Sequence, residues 1–221
     1  ADLFEDRARG SLERIKKLKP EQVQVADDHV FTGFDGFKKV LASDIDVVLI
    51  ACASHFHPAY LTAAVEAGKG FIGIHPATTC FPSEGIDPYV AMVGAEFIMH
   101  GKQQKATMKV TSPNFPGMQG LGNGFSLYEE WYAQRKFAND LHVILLQETT
   151  GMEGEWYQRP PYPATWARMH GKGRVFYTSM GHQEIWHDKT FQQVLLGGAA
   201  WALCNVDADV TPNIDEVTPN A

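Results

Sequence analysis

Cysteine is scarce in this chain. Only Cys52, Cys80 and Cys204 occur in 221 residues, and no two share a C-x-x-C spacing. Three thiols cannot all pair, so neither a disulfide framework nor a zinc knuckle is expected. Positive charge is also short: 19 Lys and Arg stand against 26 Asp and Glu, for a formal net charge of −7. That balance excludes a general basic footprint for nucleic acid or for an anionic membrane. Long apolar runs are missing too, since the stretch from Val47 to Ala53 is far too short for a bilayer. There is no P-loop, H-E-x-x-H motif, heptad zipper or internal repeat. The chain starts at Ala1, so an incomplete amino terminus is the expectation, and cytoplasm and periplasm both stay open.

What is present suits a real core, with 44% hydrophobic residues in a length that fits one large domain or two small ones. Leu3 to Leu18 reads as a helix with a charged face, ended by Pro20. Val30 to Thr32 is a strand candidate and Phe37 to Leu41 a short helix. The continuous apolar run Asp46 to Cys52 predicts a strand covered on both faces. Pro58 to Ala67 then reads as a helix and Gly70 to His75 as a second buried strand, which together make a βαβ crossover and hence a parallel sheet. Further on, the pattern predicts a helix over 89–97, strands over 106–111, 141–147 and 173–178, and a last helix over 188–203. Two irregular stretches separate these elements, 113–124 and the aromatic-rich 151–163, a length typical of binding loops. The acidic tail from Asn205 reads as an extended strap.

Nine histidines are the unusual feature, and several fall where chemistry collects. Gly73-Ile74-His75-Pro76-Ala77 ends a buried strand and has the shape of a nucleophile elbow, with histidine in the presented position. The alternative is a strand-end histidine with local hydrogen bonds. His182 and Glu184 follow the strand ending at Thr178, where a base and its orienting carboxylate would face a cleft. His100 and the pair Glu129-Glu130 complete a set of N and O donors. If His75, His100, Glu130 and His182 converge, they suit a divalent, zinc-like metal; four independent hydrogen-bonded residues is the plainer reading. Adjacent carboxylates on a strand point to opposite faces, so only one of Glu129 and Glu130 is expected at any one site. His55 and His57 more plausibly serve a helix start or solvent than a metal. Trp156, Tyr157 and Tyr162 are either a loop mini-core or an aromatic platform for a sugar.

Several stretches carry a family resemblance. Gly68 to His75, Phe97 to Gln103, Glu129 to Tyr132, Pro163 to Trp166, Gly171 to Tyr177, Gly181-His182, Leu195 to Gly198 with Trp201, and Ala208 to Asn213 resemble the ThuA-like (trehalose utilisation) family over residues 68–221. The resemblance implies a three-layer α/β domain with a mostly parallel sheet, flavodoxin-like and related to class I glutamine amidotransferases. In that wider superfamily the elbow carries cysteine. Here it carries His75, and Cys80 lies off the elbow, so thiol amidotransferase chemistry is not expected. Ala1 to Ala8, Phe31 to Lys39, Asp44 to Ile50, and His55 to Pro58 with Ala63 to Lys69 resemble instead a Gfo/Idh/MocA oxidoreductase nucleotide domain, truncated at its start. That segment lacks a GxGxxG unit and the Glu-Lys-Pro that would follow Lys69, so NAD is not expected even though Asp2 matches the ribose-binding acid.

These readings divide the chain into a Rossmann-like segment, 1–69, and a ThuA-like domain, 70–221. The leading functional expectation is a metal-assisted enzyme acting on a small-molecule carbohydrate, with catalytic His75, His182 and Glu184 and metal ligands His75, His100, Glu130 and His182. The competing expectations are a non-catalytic sugar-binding or scaffold module and, least favoured, a remnant NAD-dependent sugar oxidoreductase. An oligomer is compatible with all three, whereas nucleic acid and membrane are not expected as partners.

Overall fold

The computed structural model describes residues 1–45, 48, 56–79 and 87–219. The strand expected over 46–52, Cys80 and His55 lie outside the described residues, as do the side chains of His57 and Pro58. The chain divides into two compact units, Ala1–Tyr60 and Leu61–Ala221.

The first unit is built on α1 (Glu5–Leu18), whose acidic first turn and basic last turn complement the helix dipole. Arg9 reaches back one turn to Glu5 at 2.9 Å. Val30–Thr32 does not form the expected strand. Only Thr32 pairs, in an isolated bridge to Asp2, and Asp2 spends its carboxylate on its own Phe4 N–H. Helix α2 (Gly36–Leu41) follows, and Phe37 stacks on Tyr60 with centroids 4.2 Å apart. Tyr60 lies on α3 (His57–Glu66), which continues into the second unit.

The second unit contains β1 (Phe71–Ile74), α4 (Pro88–Val93), β2 (Glu96–His100), β3 (Gln104–Val110), β4 (Gly124–Glu129) and β5 (Tyr132–Arg135). It continues with β6 (His142–Gln147), β7 (Tyr162–His170), β8 (Gly173–Thr178), α5 (Lys189–Ala202) and α6 (Ile214–Val217). Six strands join in the order β1-β8-β7-β6-β3-β4, while β2 and β5 pair separately. Among the described residues only β1 and β8 are parallel, and the other four pairings of the large sheet are antiparallel. The fold is therefore mixed α/β with a mostly antiparallel sheet, which corrects the expected mostly parallel one.

The reason lies in β7, whose sequence shows no alternation because its first seven residues are all buried. Its Pro163 reads as loop. β7 feeds β8 through Gly171 and Lys172 alone, and a two-residue connection can only close an antiparallel hairpin. The expected helix over 89–97 is also shorter. Gly94 adopts φ +99 and caps α4, so Glu96 starts a strand.

The large sheet carries apolar side chains on both faces. Val175 and Tyr177 of β8 pack with Phe71, Tyr89, Met92 and Trp166. Phe176, between them, packs on the opposite face with Met108, Ile144, Phe191 and Trp201, under α5. Burying each such side chain contributes about 1.5–3 kcal/mol. Gly198 of α5 lies against the Phe176 ring so closely that a Cβ would sit 2.3 Å from its Cζ.

Glu96 is a buried carboxylate on β2, 3% exposed. It accepts from Arg135, its cross-strand partner, at 2.6 and 3.1 Å and pairs with Lys136 at 2.8 Å. Its bonds to Lys136 and Arg135 hold its pKa below the ordinary 4.5. A lowered folded-state pKa means that this stabilisation is complete above 4.5 and is lost as pH falls through the folded value. Glu96→Gln should therefore cost about 1–2 kcal/mol in urea unfolding at pH 7, the partners being partly exposed. The gap from the parent protein should narrow as the titration descends below pH 4.5.

Candidate functional site

β1 ends at Ile74, and the chain turns at once into a 3-10 segment, His75–Thr78. His75 adopts φ +44, a left-handed conformation uncommon for a residue with a side chain. Gly73 makes the close approach possible, since a Cβ there would meet Phe71 at 2.8 Å and Tyr177 at 2.9 Å. The Tyr177 hydroxyl donates to the His75 carbonyl at 2.9 Å and also meets Thr78 Oγ1 and the Gln134 side-chain amide, each at 3.0 Å. Burial pushes that hydroxyl's pKa far up, so it stays a donor. A sharp turn is thus clamped at the end of a buried strand, with an imidazole in the presented position.

Parallel pairing of β1 with β8 brings the residues after Thr178 beside this turn. His75 Nδ1 donates to the Ser179 carbonyl at 2.7 Å, which fixes the tautomer. In neutral His75, Nε2 is then a lone pair, and it faces Glu130 Oε2 at 3.3 Å. Two acceptors in that position require a proton or a cation between them. His100 Nδ1 approaches the other oxygen of the same carboxylate at 3.4 Å and its neighbour's carbonyl, Gly101, at 3.2 Å. Tyr132 stacks beside His75 with ring centroids 4.0 Å apart. Burial first, then the Glu130 and Glu129 carboxylates, pushes the Tyr132 pKa up to about 12.

His182 stands edge-on to His75, with centroids 5.9 Å apart. Its Nδ1 bonds Glu184 Oε2. The carboxylate can only accept, so Nδ1 carries the proton and Nε2 remains the nitrogen able to take one up. Gln103 Nε2 donates to Glu184 Oε1 at 3.4 Å, and since it can only donate, its 3.0 Å approach to the protonated His182 Nδ1 is a contact and not a hydrogen bond. Some desolvation opposes ionisation of Glu184, but the bonds from His182, its own backbone N–H and Gln103 leave its pKa lowered. His75 and His182 therefore share one arrangement, Nδ1 tied to an oxygen and Nε2 chemically available.

Of the two adjacent carboxylates only Glu130 contacts the imidazoles, although strand alternation is not the reason. β4 stops at Glu129 and β5 starts at Tyr132, so the pair sits on a break between strands, where alternation does not hold. Glu130 faces the two imidazoles, while the buried Glu129 accepts from Gly181 N–H at 3.1 Å and Glu130 N–H at 2.8 Å. Burial raises the Glu129 pKa, opposed by those two N–H groups and by His75 and His182. Ser179 Oγ is buried and has no hydrogen-bond partner among the described residues.

Tyr132 and Trp186 also belong to this region, and neither carries a motif that marks it in the sequence. The Trp186 indole donates to the Gly181 carbonyl at 3.0 Å, packs edge-on against Phe191 and is 44% exposed. Of the three aromatics weighed as a platform, Tyr157 and Tyr162 are core. Tyr157 Oη donates to the Trp131 carbonyl at 2.6 Å and accepts from Gly101 N–H at 2.7 Å, and Tyr162 Oη donates to the Tyr132 carbonyl. Only Trp156 reaches the surface. Asp188 accepts from Thr190 and Phe191 N–H and starts α5. Among the described residues no group of three or more His, Cys, Asp or Glu side chains already surrounds one metal position. Cys204 is exposed and far along the chain from these residues.

The model of the ThuA family, described as trehalose utilisation, matches residues 11–202. The chain belongs to the ThuA family. The match takes in most of the segment that resembles the Gfo/Idh/MocA oxidoreductases, and it gives that second resemblance no support. A thua-like protein from Bacteroides uniformis superposes with a TM-score of 0.57 at 19% identity, covering 92% of this chain and 86% of that one. Another from Parabacteroides merdae gives 0.56 at 18%, covering 70% and 67%. No curated protein matches. At such identities the ThuA-like structures establish the shared fold only.

The tautomer of His75 is directly measurable. Long-range ¹H–¹⁵N spectra recorded where the imidazoles are neutral should show His75 protonated at Nδ1 and bare at Nε2. The opposite assignment would remove the basis for treating Nε2 as the working nitrogen.

Proposed function

We propose that this ThuA-family chain is an enzyme that acts on an uncharged carbohydrate by proton transfer. His75 and His182 are the groups that exchange protons, each through Nε2, and Glu184, itself held by the Gln103 amide, orients His182. The observation that carries the reading is the pair of imidazoles, 5.9 Å apart, each held in one tautomer by an oxygen acceptor. Three carboxylates, Glu129, Glu130 and Glu184, accompany them, which disfavours a phosphorylated or otherwise anionic sugar. Trp186 supplies an exposed indole next to His182, fit to cover the apolar face of a pyranose.

The donor chemistry also fits a divalent metal. His75 and Glu130 face each other as two acceptors that a cation would satisfy, and Nδ1–H bonding to a carbonyl is the usual support of a ligating histidine. His75, His100, Glu130 and His182 would hold it. Once bound, it would polarise a sugar hydroxyl or carbonyl. A sugar-binding module without turnover is the second reading, favoured by the histidine that stands at the elbow where a nucleophilic thiol or hydroxyl would be needed for acyl transfer.

The test is NMR-monitored incubation of neutral mono- and disaccharides, trehalose included, with protein stripped by EDTA and with protein reloaded with Zn²⁺ or Mn²⁺. Conversion should fall at least about 100-fold in His75→Ala and His182→Ala. Trp186→Ala should raise KM several-fold with kcat little changed. Equal activity before and after reloading removes the metal. Sugar-dependent rises in melting temperature without any conversion transfer the assignment to the binding module.

A further inference from the structure

A cavity of about 580 Å³ in the second unit is lined by none of the residues discussed above as catalytic or metal-binding. Its wall carries three cations, Arg135, Lys136 and Arg159, in a chain whose net charge is −7. Arg135 and Lys136 share the single carboxylate of Glu96. Arg159 is different. Its Nη1 donates to the Gln134 carbonyl at 2.8 Å and its guanidinium lies 4.5 Å from the centroid of the Tyr162 ring. Among the described residues it meets no carboxylate.

We infer that this cavity binds a small organic anion, with Arg159 gripping its carboxylate or phosphate group. A guanidinium whose plane is set by a fully buried tyrosine and a backbone carbonyl has lost its rotamer freedom in advance, so little more is lost when an anion arrives. The rest of its fork matches the two oxygens of a carboxylate or phosphate. Asp215 also lines the cavity, but no contact between it and Arg159 occurs among the described residues. Asn139 adds an exposed amide, and Phe137 and Ile214 add an apolar wall. The volume is that of ordinary metabolite pockets, and the apolar wall favours an anion with a hydrocarbon or ring portion.

The experiment is calorimetric titration of the whole chain with inorganic phosphate and with benzoate, at ionic strength held constant with sodium chloride. Saturable one-to-one binding is expected, at least tenfold weaker in Arg159→Gln. Preference for phosphate identifies a phosphate monoester as the ligand class, and preference for benzoate identifies a carboxylate. Asn139→Asp covers the case in which Arg159→Gln fails to fold. It adds a negative charge at an exposed position and should weaken binding by a similar factor. Absence of saturable binding of both anions to the parent protein overturns the inference, as does unchanged affinity in both variants.

Discussion

The parallel pairing of β1 with β8, in which Ile74 lies opposite Thr178, is the constraint on which the site depends. Each strand delivers its working residues just beyond its last paired position. One gives His75, the other Ser179, Gly181 and His182. Shift the register by one residue and His75 Nδ1 loses the Ser179 carbonyl, while Tyr177 and Phe176 exchange faces of the sheet. The cost of such a slip would include two aromatic side chains placed against the wrong cluster, so the packing of the sheet protects the geometry of the imidazoles.

Around that pairing the remaining groups act as braces. Glu129 ties the end of β4 to Gly181, and the Tyr177 hydroxyl ties β8 to the turn at His75. The left-handed backbone at His75 is tolerated because Tyr177, Thr78 and Gln134 form a buried polar network beneath it. Charge is divided across the molecule. Carboxylates accompany the imidazoles, whereas guanidinium groups line the separate cavity at Arg159.

Much of this was legible from residues alone where the signal is local. His75 follows a buried strand, and His182 precedes Glu184 by two positions, a spacing short enough that the hydrogen bond needs no knowledge of the fold. The break at Glu130 and the strand β7 were not legible. A strand buried on both faces loses the alternation that betrays strands, and Pro163 at its second position reads as loop. The parallel sheet was expected from the strand–helix–strand spacing over 46–75, and without β7 the antiparallel hairpin with β8 had no signal to set against it. Gln103 reaches His182 across 79 positions, a distance at which no pattern in a single sequence points from one to the other. The family resemblance covered the second part of the chain, while the ThuA match extends further toward the amino terminus, to residue 11.

The hydroxyl of Tyr157, shared between Gly101 and Trp131, changes how the long stretch around 151–161 should be regarded. A segment of that length without regular structure is ordinarily pictured as a flap that swings over a bound molecule. Here its tyrosine is a buried rivet between the two passages that carry His100 and Glu130, and withdrawing it would strand two backbone groups away from water. The stretch serves as a strut. A ligand meeting these side chains finds them already ordered, and the free energy of contact is not spent on immobilising a loop.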